Sequence, residues 1–424
     1  MIELTSDALS YAQEHGAEYV EVRGETTEFL DLLVEDRGVV HSIGGIYNGV
    51  GIRTFYGSGR GYSSTSFITK TSIERAVEES VRMARASNFN ATKVKPIEGR
   101  VENVKAPMKQ DPRELDSQDK VKEVLALARA ASKVTSAKLT RLHYLELYED
   151  RTLATNYGLR LRSIKPSVYV SIEAYGDDWQ LIYEDGYVGG WEVFKQIRKD
   201  VDEFYEQLVF SSTDAEAESV VLSPRAASNF LIDDVLPQYV FPSESSYDRF
   251  PLPNLEVLDD PTRESGYGYM PFDDEGVKAE PIQLVASGKV ERKLTTRELD
   301  DYGGRARAQD FIHEPGPANS NTRVVSIEKT SMPKDFYYVP FTYSLGSFNS
   351  GEVIWLYSPL TVVYKGGAPV GRKALRLGID LSKVKVTGIE GEPKGFGCLR
   401  KFGGGLIPIA EESDALLVEG GTVD

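Results

Sequence analysis

Metal-assisted or nucleophilic chemistry needs imidazoles, thiols and carboxylates brought together, and this chain is poor in the first two. It has four histidines, His15, His41, His143 and His313, and one cysteine, Cys398. No two histidines stand at the three- or four-residue spacing that puts ligands on one helix face. His313-Glu314 comes nearest to a helical zinc motif. Pro315 follows it and breaks the helix such a motif needs, and Ala318 stands where a second histidine would be. A catalytic zinc takes about three protein ligands and one open position, so a lone Cys398 reads first as a small packing residue. So few histidines also leave no Ser/His/Asp triad to argue.

The carboxylates offer more. Asp233 and Asp234 are adjacent, so they cannot share a helix face as residues three or four apart do. Capping or salt-bridging at a helix end is their expected role, and a relocated hard-metal site the alternative. Asp273-Asp274-Glu275 is an acidic triplet that suits a cation, but Gly276 follows and marks it as a turn between strands. The glycine clusters carry no phosphate site. Gly57, Gly59 and Gly61 lack a following helix, and Gly366 to Lys373 has Arg372 and Lys373 where a P-loop needs Lys and Ser/Thr.

The stretch from Glu218 to Pro237 must position whatever site exists. Val220 to Leu222 reads as a short buried strand, and Ser223 as the cap of a helix with Pro224 at its first position. Ala227, Phe230, Leu231 and Val235 give that helix one apolar face, and Pro237 is expected to end it. Before it, Thr5 or Ser6 is expected to cap a first helix that closes at Gly16. Strands are expected at 17–23, 29–34 and 49–56, and a helix capped by Ser72 follows. Residues 89–118 read as a polar crossover, then come a helix over 119–133, a strand pair over 139–154, a turn at Asn156-Tyr157-Gly158, a strand over 167–175 and a helix over 191–207. The polar run 211–218 is the best linker. Beyond residue 240 the chain turns to Gly, Pro and short extended runs, a β-rich pattern.

Several of these segments, in this order, resemble the TldD/PmbA family, in which PmbA is also called TldE. They are the strand and helix of 218–237; Ala17 to Arg23, Gly51-Ile52-Arg53, Gly61 to Thr65 and Ile73 to Val77; Phe272 to Val277 with Pro281 to Val290; Ala318 to Val324; and the Cys-Gly-rich run Gly395 to Pro408. The resemblance implies an α+β fold: an N-terminal α/β domain over 1–210, a linker over 211–218, and a β-rich C-terminal domain of the TldD/PmbA type over 219–424. It also implies a dimer enclosing a proteolytic chamber.

In the TldD branch the helix carries His-Glu-x-x-x-His, whose histidines hold zinc and whose glutamate is the general base. The matching hexapeptide here runs from Ile232 to Pro237, so the positions of the two histidines and the glutamate hold Ile232, Pro237 and Asp233. Only Cys398, matching the family's third ligand, is a weak metal candidate. The resemblance therefore implies no zinc in this chain and zinc in a TldD-like partner. It also points to a peptide groove, with Asn321, Thr322 and Arg323 as candidates and aromatics such as Tyr267, Tyr269, Phe336, Tyr337, Tyr338 and Phe341 in its walls. The leading expectation is a non-catalytic TldE-like subunit, paired with a TldD-like catalytic subunit or with itself, acting on unfolded peptides. The alternatives are an active metallopeptidase with substituted ligands and a regulatory protein, following the family's older description as a modulator of DNA gyrase.

Composition narrows the classes. At 424 residues the chain exceeds one ordinary core. A formal charge of −16 disfavours phosphate-backbone binding. No apolar run approaches a bilayer span, the N-terminus lacks a signal-peptide pattern, and a single cysteine excludes an internal disulfide, so a cytoplasmic protein away from membranes is expected.

Overall fold

The computed structural model describes residues 2–87, 94–208, 211–242, 247–299, 303–347 and 353–423. The first half is built on one seven-stranded sheet. β1 (Tyr19–Glu35), β2 (Gly38–Tyr56), β3 (Gly59–Thr65), β4 (Val101–Lys105), β5 (Leu139–Thr155), β6 (Arg160–Tyr175) and β7 (Gln180–Val188) run in the order β3-β2-β1-β5-β6-β4, with β7 also on β6. Four helices cover one face: α1 (Ile2–Glu14), α2 (Lys70–Ala86), α3 (Ser117–Thr135) and α4 (Glu192–Glu206). Alternation along β1 decides what they cover. Val20, Val22, Leu30, Leu32 and Val34 face the helices, and α2 meets them with Ile73, Val77 and Val81 while α3 offers Val124 and Leu127.

The opposite face is charged and still buried, because it packs on the second half. Arg53 bonds Glu21 within the sheet and reaches Glu275 across the junction at 2.6 Å. Arg297 answers from the other side with Glu21 at 3.1 Å, and its backbone N–H donates to Glu275 at 2.7 Å. This pairing explains why the strands are longer than expected. The expected breaks at Gly24 and between Val34 and Gly49 fall inside β1 and β2, and the charges of β1 are partnered rather than solvated. Likewise 139–155 is one strand, not a pair.

The second half holds two larger sheets. A six-stranded sheet includes 255–259, 321–326, 405–413 and 394–402; a nine-stranded one includes β8 (Ser219–Leu222), 336–339, 353–365 and 368–380. Their facing sides share one core with the helical stretch after β8, through Ala226, Ala227, Phe230, Leu231 and Val235. An antiparallel two-stranded ladder, 306–307 with 316–317, stands apart.

Local signals place most helix ends. Ser223 accepts from the Ala226 N–H at 3.1 Å, as expected of a cap. Three details differ. α1 starts at Ile2, ahead of the expected caps; α2 is capped by Thr69, whose hydroxyl accepts from the Ser72 N–H; and the crossover contains β4. Residues 89–93 of that crossover lie outside the described residues. Among the described residues no helix is long and apolar enough to cross a membrane.

Candidate functional site

The stretch 218–237 is not one helix. α5 (Pro224–Ser228) gives way to a wider π turn over Asn229–Val235, and a last turn, α6 (Pro237–Val240), begins at Pro237 instead of ending there. Proline is tolerated as the first residue of a helical turn, where its missing N–H has no partner to lose. The π turn is one residue wider per turn than an α-helix, and it aims Asp233 at the hairpin Lys394–Phe402/Gly405–Ser413. Ile232 and Val235 stay in the core.

Across from Asp233 stand Phe396, Cys398 and Arg400, which share one strand face by the two-residue alternation. Arg400 sits among three carboxylates. Its Nε lies 2.8 Å from Asp233 Oδ2 and 3.4 Å from Glu411 Oε1, and its Nη1 lies 2.8 Å from Glu184 Oε1 of β7. Cys398 Sγ donates to Glu411 Oε1 at 3.2 Å and is fully buried. Burial pushes the Cys398 thiol well above its usual range, although Arg400 pulls the other way. Burial, then the Asp233 carboxyl, raises Glu411 well above the usual carboxylate range. Its second oxygen, Oε2, is buried and has no hydrogen-bond partner among the described residues. Burial also raises Asp233, against the pull of Arg400.

This donor set does not fit zinc. The family's histidine positions carry an alkyl chain and a proline, the thiol is held protonated, and a guanidinium occupies the space between the carboxylates. Among the described residues no three or more His, Cys, Asp or Glu side chains come together in a way that holds a metal. Asp234 points elsewhere, and burial raises it to about 6.

The groove candidates lie in the strand 321–326, which is paired on both sides, to 255–259 and to 405–413, so it has no free edge at these residues. Asn321 is buried; its amide donates to the Asp260 carbonyl and its oxygen accepts from the Gly268 N–H. Thr322 donates to buried Asp259, and Arg323 pairs with Glu412 at 3.0 Å. These partners all lie within the protein, while the Arg323 side chain is nearly half exposed. Of the candidate wall aromatics, Tyr267, Tyr269, Phe336, Tyr337 and Phe341 are buried. Tyr338 opens on a groove of about 350 Å³ between α4, the β8–α5 elbow and Phe396. His313 bonds Asp310 outside any helix, and the triplet before Gly276 is a turn at φ +86° whose Glu275 pairs with Arg53.

Sequence reasoning missed Arg400, Glu184 and Glu411. One signal was present: Cys398 and Arg400 two apart on a strand must share a face, so a cation had to lie beside the thiol. Glu184 and Glu411 come from remote strands and left no local sign.

An α5 elbow set between two sheets thus faces a Cys-bearing hairpin, and Arg400 lies at the centre of the arrangement. Three models of one family match: the PmbA/TldA metallopeptidase domain 1 over residues 20–84, its central domain over 110–221 and its C-terminal domain over 248–337. Together they cover more than half of the chain, which belongs to the PmbA/TldD family. The domain 1 match supplies β1 to β3 and the central match supplies β5 to β7 of the single seven-stranded sheet. Metalloprotease MJ0996 of Methanocaldococcus jannaschii is 22% identical over 336 residues, 72% of this chain and 73% of that protein. Metalloprotease slr0863 of Synechocystis is 22% identical over 349 residues, 76% and 74% of the two chains. The crystal structure of TldE from Thermococcus kodakarensis shares the fold, with a TM-score of 0.67 at 13% identity, covering 98% of this chain and all of that one.

Proposed function

We propose that this chain is the non-catalytic, TldE-like subunit of a zinc metallopeptidase that processes unfolded peptides, with its two halves divided at 211–218. The observation that carries the reading is Arg400. It places a fixed positive charge between Asp233, Glu184 and Glu411, beside the protonated Cys398, where a metallopeptidase keeps its metal and an open coordination position. A guanidinium cannot be deprotonated at working pH and offers no exchangeable position for water. Ile232 and Pro237 supply no replacement ligand. The hydrolytic metal then belongs to a partner with an intact His-Glu-x-x-x-His, and this chain contributes wall and shape.

The test has two parts. Elemental analysis after mild purification is expected to find no stoichiometric zinc. Cleavage of an unfolded polypeptide is expected only when a chain with an intact motif from the same organism is added. About one zinc per chain, lost in Cys398→Ser, or cleavage by the isolated protein that a chelator abolishes, would overturn the reading in favour of an active enzyme.

A further inference from the structure

We infer that the groove beside Arg225 receives a carboxylate carried on an apolar peptide segment, most naturally the chain terminus of an extended peptide. Arg225 is the second residue of α5, in the elbow around which the second half is organised. Its guanidinium lies 3.9 Å from the ring centre of Phe396, 4.6 Å from that of Tyr183 and 5.7 Å from that of Phe204. One N–H donates to the Glu184 carbonyl at 2.5 Å. Among the described residues no carboxylate lies within ion-pair distance of it, and it lines the 350 Å³ groove.

A guanidinium that is stacked on rings is fixed in orientation. With no carboxylate in contact with it in a half-dry site, it presents N–H donors suited to a two-oxygen acceptor. The other charges of the groove leave that demand unmet. Lys199 and Lys394 both approach Glu203, at 3.3 and 3.8 Å, while Asp200 is engaged by Tyr187 and Gln196. Three cations thus face two carboxylates, in a chain whose net charge is −16. Buried Asp185 also lies near Arg225, but its Oδ1 is turned to the Gly186 and Gly397 N–H groups. Tyr338 and Phe204 supply ring surface beside Arg225, and the amides of Gln196 and Gln207, which also bond Asp200 and the Glu203 carbonyl, line the same groove.

The groove is joined to the Arg400 cluster. Phe396 and Arg400 are four residues apart on one strand face, roughly 13 Å, and Glu184 touches both arginines, by its carbonyl and by its carboxylate. An end anchored at Arg225 therefore lies within a few residues' reach of the family's reaction centre.

The inference does not rest on the partner role, because binding is read on the isolated chain. The probe is a hexapeptide ending in Phe, labelled at its N-terminus with fluorescein and followed by anisotropy. The free acid is expected to bind at least tenfold more tightly than its C-terminal amide, and Arg225→Gln is expected to erase that difference. An amidated peptide with a penultimate Glu separates the sources. If it recovers the affinity, a side-chain carboxylate serves; if it does not, the terminus is required. Both results keep the carboxylate site. Equal binding of acid and amide to the unaltered protein, or no binding of either at millimolar concentration, would overturn it, and that comparison needs no variant to fold.

Discussion

Replacing Arg400 by methionine keeps the length of its apolar stem and deletes the charge that faces Asp233, Glu184 and Glu411. Stripping one partner from a buried ion pair costs about 3–5 kcal/mol, because the remaining charge stays desolvated. Arg400 is a fifth exposed and Asp233 about a third, which puts the expected loss at the lower end, about 3 kcal/mol at pH 8. The loss must depend on pH. Asp233 and Glu411 are already raised by burial, so the folded state holds their protons more tightly than the unfolded chain. Their contribution is therefore fully present below the unfolded carboxyl value and is lost as pH rises through the folded one. Without Arg400 both shifts grow, and the penalty of the variant widens with pH. Urea unfolding followed by tryptophan fluorescence, at pH 5 and pH 8, is the assay. The expected result is a loss of about 3 kcal/mol at pH 8 that falls to about 1 at pH 5. A loss below about 1 kcal/mol at pH 8, or one that is equal at both pH values, would refute the idea that Arg400 neutralises buried carboxylates.

Three further outcomes follow from the geometry. Asp185 is raised by burial to about 7, so it favours the folded state when protonated and erodes stability between about pH 4 and 7, by up to roughly 4 kcal/mol. Thermal melts of Asp185→Asn should show a shallower decline than the unaltered protein from pH 5 to pH 8, and parallel profiles would count against it. Gly397→Ala would place a Cβ 2.1 Å from the Gly186 carbonyl oxygen. Because that contact is backbone against backbone, urea titration should show a loss of at least about 3 kcal/mol. Arg53→Met leaves Glu21 with Arg297 as its remaining cation and strips Glu275 of its guanidinium in the junction between the halves, and limited proteolysis should then cut faster within 211–218, whereas unchanged cleavage would show that the junction does not depend on Arg53.

Local patterning was legible where one face of an element is apolar. The helix around Ile73, Val77 and Val81 and the Ser223–Pro224 start were readable because caps and periodicity are written within a few residues. The long strands were not, because Glu21, Arg23 and Glu25 look like surface residues until the second half covers them. The π turn was also hidden. Its residues carry the apolar spacing of an α-helix, and the widening shows only in where Asp233 points. That Ile232 and Pro237 offer no metal ligand was plain from the sequence, but the arginine cluster beside them was not, since Glu184 and Glu411 lie far from that stretch along the chain.

The replacement has a physical logic. On the proposed reading, two imidazoles and their cation are missing from a metal centre while its acidic surroundings remain. Three clustered carboxylates, one of them fully buried, beside a thiol cannot all stay ionised without a counter-charge. An apolar filling would force each of them to take a proton, whereas one guanidinium offers five donors in a plane and matches several oxygens at once. Arg400 does this while burial raises Glu411 toward its neutral form, so the charges of the cluster are balanced without a metal. The same economy appears at the junction, where Arg53 and Arg297 occupy the acidic turn that a bound cation would otherwise suit. On the proposed reading, assembly of the second half is thereby independent of metal supply. Arg225 is the exception: it is stacked on rings and Asp185 stands near it without a contact ion pair, which is the property expected of a residue whose contacting counter-ion arrives with the ligand.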